Sequence, residues 1–304
     1  MIQTLHIENY RCLRDVTLGL EPLTVLVGAN ASGKSSVFSA LKFDPTADDH
    51  WARNRAAEIR VSVRDRSGAD ARLLYNSGGA VRSEGQWPAT QVLQFDLRQL
   101  RSHNVLHELR QIGSDGLGLA NVFATLTRRE QDSIARRFCA LVPMFNDVAA
   151  RPFRDGRHRM VFQDRWRSET WYEPEQVSDG TILMLAFLLL PHQVPAPDVI
   201  AIEEPERGLH PFLMRELIRA LRQVSQPTDG ARAVQVLLAT HSADLLESVE
   251  PNEVRFLNRS KETGETVVQL APVRDPVWPT VLREYDNSLG DIWLSGGLGG
   301  VPSS

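Results

Sequence analysis

Cysteine is scarce in this chain, and its scarcity excludes two kinds of stabilisation. Cys12 and Cys139 are the only cysteines among the 304 residues, and they lie far apart in the sequence. Two distant cysteines provide neither a disulfide framework nor the ligand spacing of a zinc site. Such a chain suits a reducing compartment, and we expect a cytoplasmic protein.

Long apolar runs are also missing. The longest, Ile182–Leu190, is too short to span a bilayer, which takes about 20 residues. The N-terminal sequence MIQTLHIENYR lacks the apolar core of a secretory signal peptide. We therefore expect no membrane partner.

Lysine is nearly absent, so arginine supplies almost all of the 34 basic residues, and the net charge is -4. A charge of that size gives no global attraction to nucleic acid or to an anionic membrane. Two local arginine groups could still neutralise phosphates of double-stranded DNA. The alternative is a solvated helix face and a solvated loop. The groups are Arg128, Arg129, Arg136 and Arg137, then Arg151, Arg154, Arg157, Arg159, Arg165 and Arg167.

The most informative stretch that is present is Leu23–Phe43, LTVLVGANASGKSSVFSALKF. It contains G-x-x-x-x-G-K-S between a short apolar run, Leu23–Val27, and the helical pattern Ser35–Phe43. Backbone N–H groups and a helix N-terminus at such a junction can hold polyphosphate. Lys34 would reach the β- and γ-phosphates, and Ser35 would ligate Mg²⁺.

Patterning along the chain predicts an α/β fold with an N-terminal antiparallel β subdomain and an inserted helical subdomain. Strands are predicted before the phosphate loop and as a hairpin after it. Helical spacing dominates 97–148, and strand–helix alternation follows. We divide the chain into 1–96, 97–167 and 168–304. The predicted strands are Thr4–Glu8, Val16–Leu20, Glu58–Asp65, Ala71–Tyr75, Gln91–Asp96, Arg159–Gln163, Val199–Glu203, Ala233–Ala239, Val254–Asn258 and Glu265–Pro272.

Two adjacent carboxylates, Glu203 and Glu204, end the apolar strand Val199–Glu203. In a Walker B motif the first acid holds Mg²⁺ and the second polarises the attacking water. Neighbouring residues on a strand point to opposite faces, so both roles require a backbone turn at the strand end, as Pro205 indicates. The alternative is an acidic strand end in solvent.

Two further motifs flank this pair in the sequence. Ser178, Asp179 and Gly180 precede an apolar helix, as an ABC signature does, although Ser and Asp are also ordinary helix caps. His241 follows the strand Ala233–Ala239, where it is either a switch histidine or a structural one. The stretch 294–297 spells LSGG, but it comes after His241 with no helix behind it, so we reject it as the signature.

In this order the four motifs resemble the RecF/SMC/OLD branch of the ABC ATPases among the P-loop NTPases. LHIENYRCLRD, IEEPERGLHP and ATHSADLL carry the resemblance over essentially the whole chain. It implies ATP as substrate, Mg²⁺ as cofactor and a homodimer that sandwiches ATP. Catalysis is implied for Lys34, Glu204 as base, and His241. The implied phosphate and metal contacts are Asn30, Ala31, Ser32, Gly33, Lys34, Ser35, Ser36, Ser178, Asp179 and Gly180, with Ser35, Glu203 and Gln94 at the metal.

Three of these assignments leave alternatives open. Gln94 is equally well a plain strand residue. Arg11 is either a residue that contacts nucleotide or DNA, or an ordinary surface arginine in solvent. Ala31 stands where the family often has glycine, and alanine suits most loop conformations other than positive φ, so we expect little disturbance.

Two functions remain in competition at this stage. One is an ATPase acting on DNA in repair or anti-phage defence. The other is an ATP-driven sensor that controls a separately encoded effector, such as a nuclease or toxin. A transporter subunit fits poorly, because the N-terminal element differs. A long coiled coil and a Toprim-like nuclease after His241 are both missing, so we expect no nuclease activity.

Overall fold

A computed structural model of the chain describes residues 1–43, 45–51, 57–76, 78–153, 155–227 and 232–298. Its internal contacts separate two compact units. The first consists of Met1–Val92, Asp198–Pro205 and Ala233–Ser304, and the second of Leu93–Pro197 and Glu206–Arg232. Each unit is thus assembled from separated pieces of chain, whereas the division at 96 and 167 stays a prediction.

The first unit contains most of the strands. Its elements are β1 (Ile2–Tyr10), β2 (Leu13–Gly19), β3 (Leu23–Val27), α1 (Lys34–Lys42), β4 (Ile59–Asp65), β5 (Asp70–Tyr75), β6 (Val81–Glu84), β7 (Thr90–Leu93), β12 (Val199–Glu203), β13 (Gln235–Thr240), α7 (Ala243–Leu246), β14 (Val254–Arg259), β15 (Thr266–Leu270), α8 (Trp278–Glu284) and α9 (Leu289–Leu294).

One sheet of this unit is antiparallel, in the order β2-β1-β4-β5-β6. Strand β1 buries Ile2, Leu5, Ile7 and Tyr10 while the intervening residues are more exposed, which is the alternation expected of a half-buried strand. The predicted N-terminal antiparallel subdomain is confirmed. Strand β6, which is not among the predicted strands, has no buried residue and pairs with β5.

The second sheet has the order β15-β14-β3-β13-β12-β7. Strand β3 pairs in parallel with both β13 and β14, and all five of its residues are buried, as strands in a covered parallel sheet are. Strand β12 runs parallel to β13. The carboxyl ends of β3, β12 and β13 therefore share one edge, the edge where α/β sheets bind ligands.

Helix α1 fixes the position of that edge relative to the core. Val37, Phe38 and Leu41 are fully buried, and they belong to one hydrophobic cluster with Leu26 of β3 and Ile7 of β1. The apolar side of the predicted helix is thus the side that packs, and its N-terminus is held at the end of β3.

The second unit is built around a short sheet and a buried helix. Its elements are α2 (Leu97–Leu100), β8 (Asn104–Val105), α3 (Leu119–Thr125), α4 (Arg128–Leu141), β9 (Phe145–Pro152), β10 (Arg157–Asp164), β11 (Trp171–Tyr172), α5 (Asp179–Leu189) and α6 (Pro211–Ser225). Strand β10 pairs antiparallel with β8, β9 and β11. Helix α5 is buried from Gly180 to Leu189 and contacts α2, α3, α4 and α6.

The expected helical insertion is present, with one local error. Helices α3 and α4 form as predicted, and Thr127 and Glu130 close a capping box at the start of α4. The helical prediction extended to Val148, but Phe145–Val148 begins β9. Pairing with β10 outweighs the local pattern there.

Parts of three stretches lie outside the described residues: residues 44 and 52–54 of the predicted loop 44–54, Arg154, and the predicted Gly/Ser tail after 298. Within the described ranges, no helix combines the length and the apolarity needed to cross a bilayer.

Candidate functional site

A cavity of about 430 Å³ opens around the predicted phosphate loop in the first unit. Residues from five separated stretches of sequence line it. They are Arg11, Cys12, Asn30, Ala31, Ser32, Gly33, Lys34, Ser35, Ser36, Glu203, Glu204, Ala239 and Arg259. The structure therefore brings the loop and both carboxylates to one place.

The loop has the backbone conformation of an anion-binding turn. Gly33 has φ of +111°, directly before the first residue of α1, and Gly28 has no room for a side chain because a Cβ would lie 2.3 Å from the Leu257 carbonyl oxygen. Ala31 has φ of +63°, in the left-handed region that costs an L-residue about 1–2 kcal/mol. The expectation that alanine sits there without disturbance is wrong.

Lys34 closes the loop on itself. Its Nζ donates to the carbonyl oxygens of Gly28 at 2.7 Å and Ala29 at 2.9 Å. These bonds hold the ammonium group over the loop at the N-terminus of α1, where the helix dipole also favours negative charge. A polyphosphate there would meet the positive charge of Lys34 and several backbone N–H groups.

Ser35 and Glu203 provide an oxygen donor pair for a metal ion. The Ser35 hydroxyl donates to Glu203 Oε2 over 3.1 Å, although 168 positions separate them in the sequence. Hydroxyl and carboxylate oxygens are the hard ligands that Mg²⁺ takes, together with waters and substrate phosphates. The donor set therefore fits Mg²⁺.

Glu204 reaches the same cavity as its neighbour Glu203 because the chain reverses between them. Strand β12 ends at Glu203, and Glu204 takes φ of +46° while its N–H donates to the Ala239 carbonyl oxygen at 2.8 Å. His241 Nδ1 lies 3.4 Å from Glu204 Oε1. The side chains of Glu204 and His241 are 37% and 53% exposed, so both remain accessible to water and substrate.

Four cavity residues, Arg11, Cys12, Ala239 and Arg259, were not predicted, or were predicted only as one alternative. Arg11 lines the cavity, and its guanidinium donates to Asp49 Oδ1 at 2.7 Å and Ser39 Oγ at 3.1 Å. Burial alone would lower the pKa of Arg11, but the hydrogen bond and charge of Asp49 raise it. Cys12 and Arg259 belong to no recognised motif. Arg259 could have been predicted from its position, because it is a charged residue at the carboxyl end of a buried parallel strand.

The other predicted residues belong to the second unit, and their roles stay predictions. Ser178 caps α5, accepting from the Thr181 N–H at 3.3 Å, and Asp179 pairs with Arg101 at 2.8 Å. Gly180 packs closely, since a Cβ would lie 3.2 Å from the Gly208 carbonyl oxygen. Gln94 follows β7, is exposed, and its backbone N–H donates to Ser114 O.

The rejected LSGG stretch has the wrong local structure for a phosphate-binding signature. Leu294 is the last residue of α9, and Gly296 follows with φ of +85°. Its glycines therefore lie at a helix C-terminus, which presents carbonyl groups and attracts cations.

The second arginine group, between Arg151 and Arg167, is less available than the sequence suggested. Arg159 is 18% exposed and pairs with Asp155 and Glu173, while Arg151 lies 3.6 Å from the centroid of the Trp171 ring. The stretch 143–175 contains six arginines and also six carboxylates. This surface therefore has no clear excess of positive charge.

Comparison with known proteins assigns the chain to a family. Residues 1–59 match a family described as an AAA ATPase domain. The OLD nuclease of Thermus scotoductus is 39% identical over 59 residues, which are 19% of this chain and 11% of that protein. The match thus spans about a tenth of the relative's length.

Solved SMC head domains share the fold. The head from Thermotoga maritima has a TM-score of 0.60 at 15% identity and covers 88% of this chain and 98% of its own. An SMC head bound to the C-winged helix domain of ScpA has a TM-score of 0.67 at 12% identity, over 90% of this chain and 98% of its own. A head with an extended coiled coil, bound to the C-terminal domain of ScpA derived from Pyrococcus furiosus, has a TM-score of 0.64 at 12% identity, over 94% and 99%.

These findings support a RecF/SMC/OLD-like ATPase with the fold of an ABC-type head. The widest family match covers residues 45–247, which is more than half of the chain. The protein belongs to the family described as AAA domain, putative AbiEii toxin, Type IV TA system.

Proposed function

We propose that this chain hydrolyses ATP to ADP and phosphate in the cavity around the phosphate loop. One observation carries the proposal: the Ser35–Glu203 pair and the Glu204–His241 pair both lie at the carboxyl edge of the sheet that presents the loop. A phosphate cradle, a metal ligand pair and a carboxylate base beside a histidine are the parts that phosphoryl transfer to water requires.

Each side chain has a distinct task in this proposal. Lys34 and the loop N–H groups bind the β- and γ-phosphates. Ser35 and Glu203 would hold Mg²⁺, which would supply positive charge to neutralise the phosphate oxygens. Glu204 accepts a proton from the attacking water. At the same time the water oxygen bonds to the γ-phosphorus, and the bond between the γ-phosphorus and ADP breaks. His241 holds Glu204 and the water in line.

The complete site in this proposal needs a second copy of the chain. Ser178 to Gly180 form the N-terminus of α5, an 11-residue helix whose first N–H groups can bind a γ-phosphate. We assign them to the ATP held by the opposite subunit, so ATP joins two heads and hydrolysis separates them.

Glu204→Gln tests the assignment of the base. The amide keeps the size of the side chain but cannot accept the proton, so turnover should fall at least 100-fold while ATP binding persists. Chromatography with light scattering should then find a stable ATP-bound dimer. Glu284→Gln, in an exposed carboxylate at the end of α8, is the matched control and should leave turnover unchanged. Normal turnover in Glu204→Gln would refute the assignment.

We place the ATPase in DNA repair or anti-phage defence, as a head that acts on double-stranded DNA. The exposed arginines Arg128, Arg129 and Arg136 of α4 support this role. Contacts between such arginines and DNA phosphates make binding depend on salt. Binding to a DNA duplex should weaken steeply with salt and strengthen with ATP. Binding that depends on neither salt nor ATP would exclude this version.

A second candidate is an ATP-driven regulator of a separately encoded effector, with no direct DNA role. The pairing of Arg159 with two carboxylates and the even charge of 143–175 favour it over the DNA role. Co-purification of the tagged chain with the product of a neighbouring gene, lost on ATP depletion, supports it. Full biological activity of the chain without any partner would contradict it.

A further inference from the structure

The hairpin of β14 and β15 contacts the phosphate loop, and its Arg259 also lines the cavity. Strand β14 is the neighbour of β3, and in the hairpin Arg259 is paired with Thr266. Arg259 Nη1 donates to the Ala31 carbonyl oxygen at 3.3 Å, and Thr266 Oγ1 donates to the Ser32 carbonyl oxygen at 2.9 Å. Two successive carbonyl groups of the loop are therefore bound by one hairpin.

These contacts supply donors to two carbonyl groups of the loop that Lys34 does not bind. A loop that directs its N–H groups at a ligand leaves its carbonyl oxygens facing the protein, where they need donors. Lys34 donates to the carbonyl groups of Gly28 and Ala29, and the hairpin donates to those of Ala31 and Ser32. The Gly33 carbonyl accepts the Val37 N–H as part of α1.

Thr266 is itself rigidly placed. It is 4% exposed, and its backbone N–H donates to the Cys12 carbonyl oxygen at 2.9 Å. Its hydroxyl lies against Gly33 so closely that a Cβ at Gly33 would be 2.7 Å from Thr266 Oγ1. The Thr266 hydroxyl therefore has little freedom to turn away from the Ser32 carbonyl.

Peptide planarity transmits this constraint to the binding face. The Ser32 C=O and the Gly33 N–H belong to one trans peptide unit and point in opposite directions. A hydroxyl that holds the carbonyl outward therefore holds the Gly33 N–H inward, toward the cavity that Gly33 lines.

We propose that Thr266 is a positioning residue that sets the phosphate loop for nucleotide binding by orienting the Ser32–Gly33 peptide. The proposal rests on the proposed function for the identity of the ligand, ATP. It adds a residue from the far end of the chain, which touches the loop from the side opposite the substrate.

Thr266→Val and Thr266→Ser separate positioning from packing. Valine keeps the shape and loses the hydroxyl, so the Kd for Mg-ATP should rise about tenfold, as for one lost buried hydrogen bond with its carbonyl left unpaired. Serine keeps the hydroxyl and should restore the Kd to within about twofold of the unsubstituted protein.

Thr24→Val is the matched control. Thr24 is fully buried at the start of β3, and its hydroxyl donates to the Glu21 carbonyl oxygen at 3.2 Å, away from the loop. This variant should lower the Tm but leave the Kd unchanged. If Thr266→Val also lowers only the Tm, Thr266 is structural and the proposal is wrong.

Hydrogen exchange without nucleotide keeps this test independent of the proposed function. Thr266→Val should speed exchange of the amides in 28–35 severalfold, and Thr24→Val should not. Faster exchange in a protein that binds no ATP would refute the ATPase proposal and support the positioning role. Unchanged exchange together with an unchanged Kd would overturn the positioning role alone.

Discussion

Ala31 occupies a backbone conformation that its side chain disfavours. With φ of +63°, its Cβ crowds the following carbonyl group, and its carbonyl oxygen accepts from Arg259. Left-handed strain of this kind persists where surrounding contacts over-determine a binding loop.

Ala31→Gly should therefore stabilise the chain. Relief of the strain exceeds the added entropy of glycine in the unfolded chain, and we expect a net gain of about 0.5–1 kcal/mol. Urea unfolding measures it. Ala29→Gly is the control, since Ala29 is not among the positive-φ residues, and it should be destabilising. A loss of stability in Ala31→Gly would show that the strain estimate is wrong.

Residue chemistry was predictable wherever it depends on spacing along the chain. Lys34, Ser35 and the Glu203–Glu204 pair carry local patterns, and the structure places them in one cavity. The contacts of Thr266 and Arg259 with the loop depend on the register of two strands more than 200 positions away, which no local pattern encodes.

At the scale of the element, a short turn at Ala47–Asp49 is bound to Arg11, which lines the cavity around the phosphate loop. Thr46 and Asp49 form a capping box around a single 3-10 turn, and Asp49 also accepts from Arg11. Burial, the largest single influence, raises the pKa of Asp49. Hydrogen bonds from Arg11 and Thr46 outweigh it and hold that pKa below its ordinary value of 3.8.

The ion pair between Asp49 of this turn and Arg11 makes the free energy of unfolding depend on pH in the acid range. Because the folded pKa of Asp49 is lowered, its contribution is present above pH 3.8 and is lost as the pH falls through the folded pKa. Asp49→Asn should be less stable than the unsubstituted protein at pH 7, and the difference should shrink below pH 3.8. Chemical unfolding at several pH values measures this, and a constant difference would contradict it.

Elements were predictable in proportion to their burial. Strands β3 and β12 were predicted with the observed bounds, because short apolar runs between loops have few alternatives. Strand β6 has no buried residue, so its sequence lacks the alternation that identifies a strand. Strand β9 was partly assigned to a helix, since its pairing with β10 is a tertiary feature.

At the scale of the whole chain, the first unit depends on distant segments for its central sheet. The antiparallel sheet is complete within the first 92 residues, but both neighbours of β3 come from Ala233–Ser304. A fragment of residues 1–92 would leave β3, whose five residues are all buried in the full chain, with two open edges.

We expect that fragment to self-associate and to bind no ATP. Size-exclusion chromatography and titration with a fluorescent ATP analogue would measure both, with the full chain as control. A monomeric fragment that binds the analogue would show that β3 and α1 need no support from β13 and β14.

The distribution of the site over the sequence has a consequence for synthesis. Lys34 emerges early, the carboxylate pair more than 160 residues later, and His241 after that. Because strands β13 and β14 must then insert on either side of β3, the sheet closes only when most of the chain has left the ribosome. A nascent or truncated chain would therefore carry the loop without Glu204 and His241. Under the proposed function, ATP hydrolysis would begin only in a molecule whose translation has passed the last of these strands.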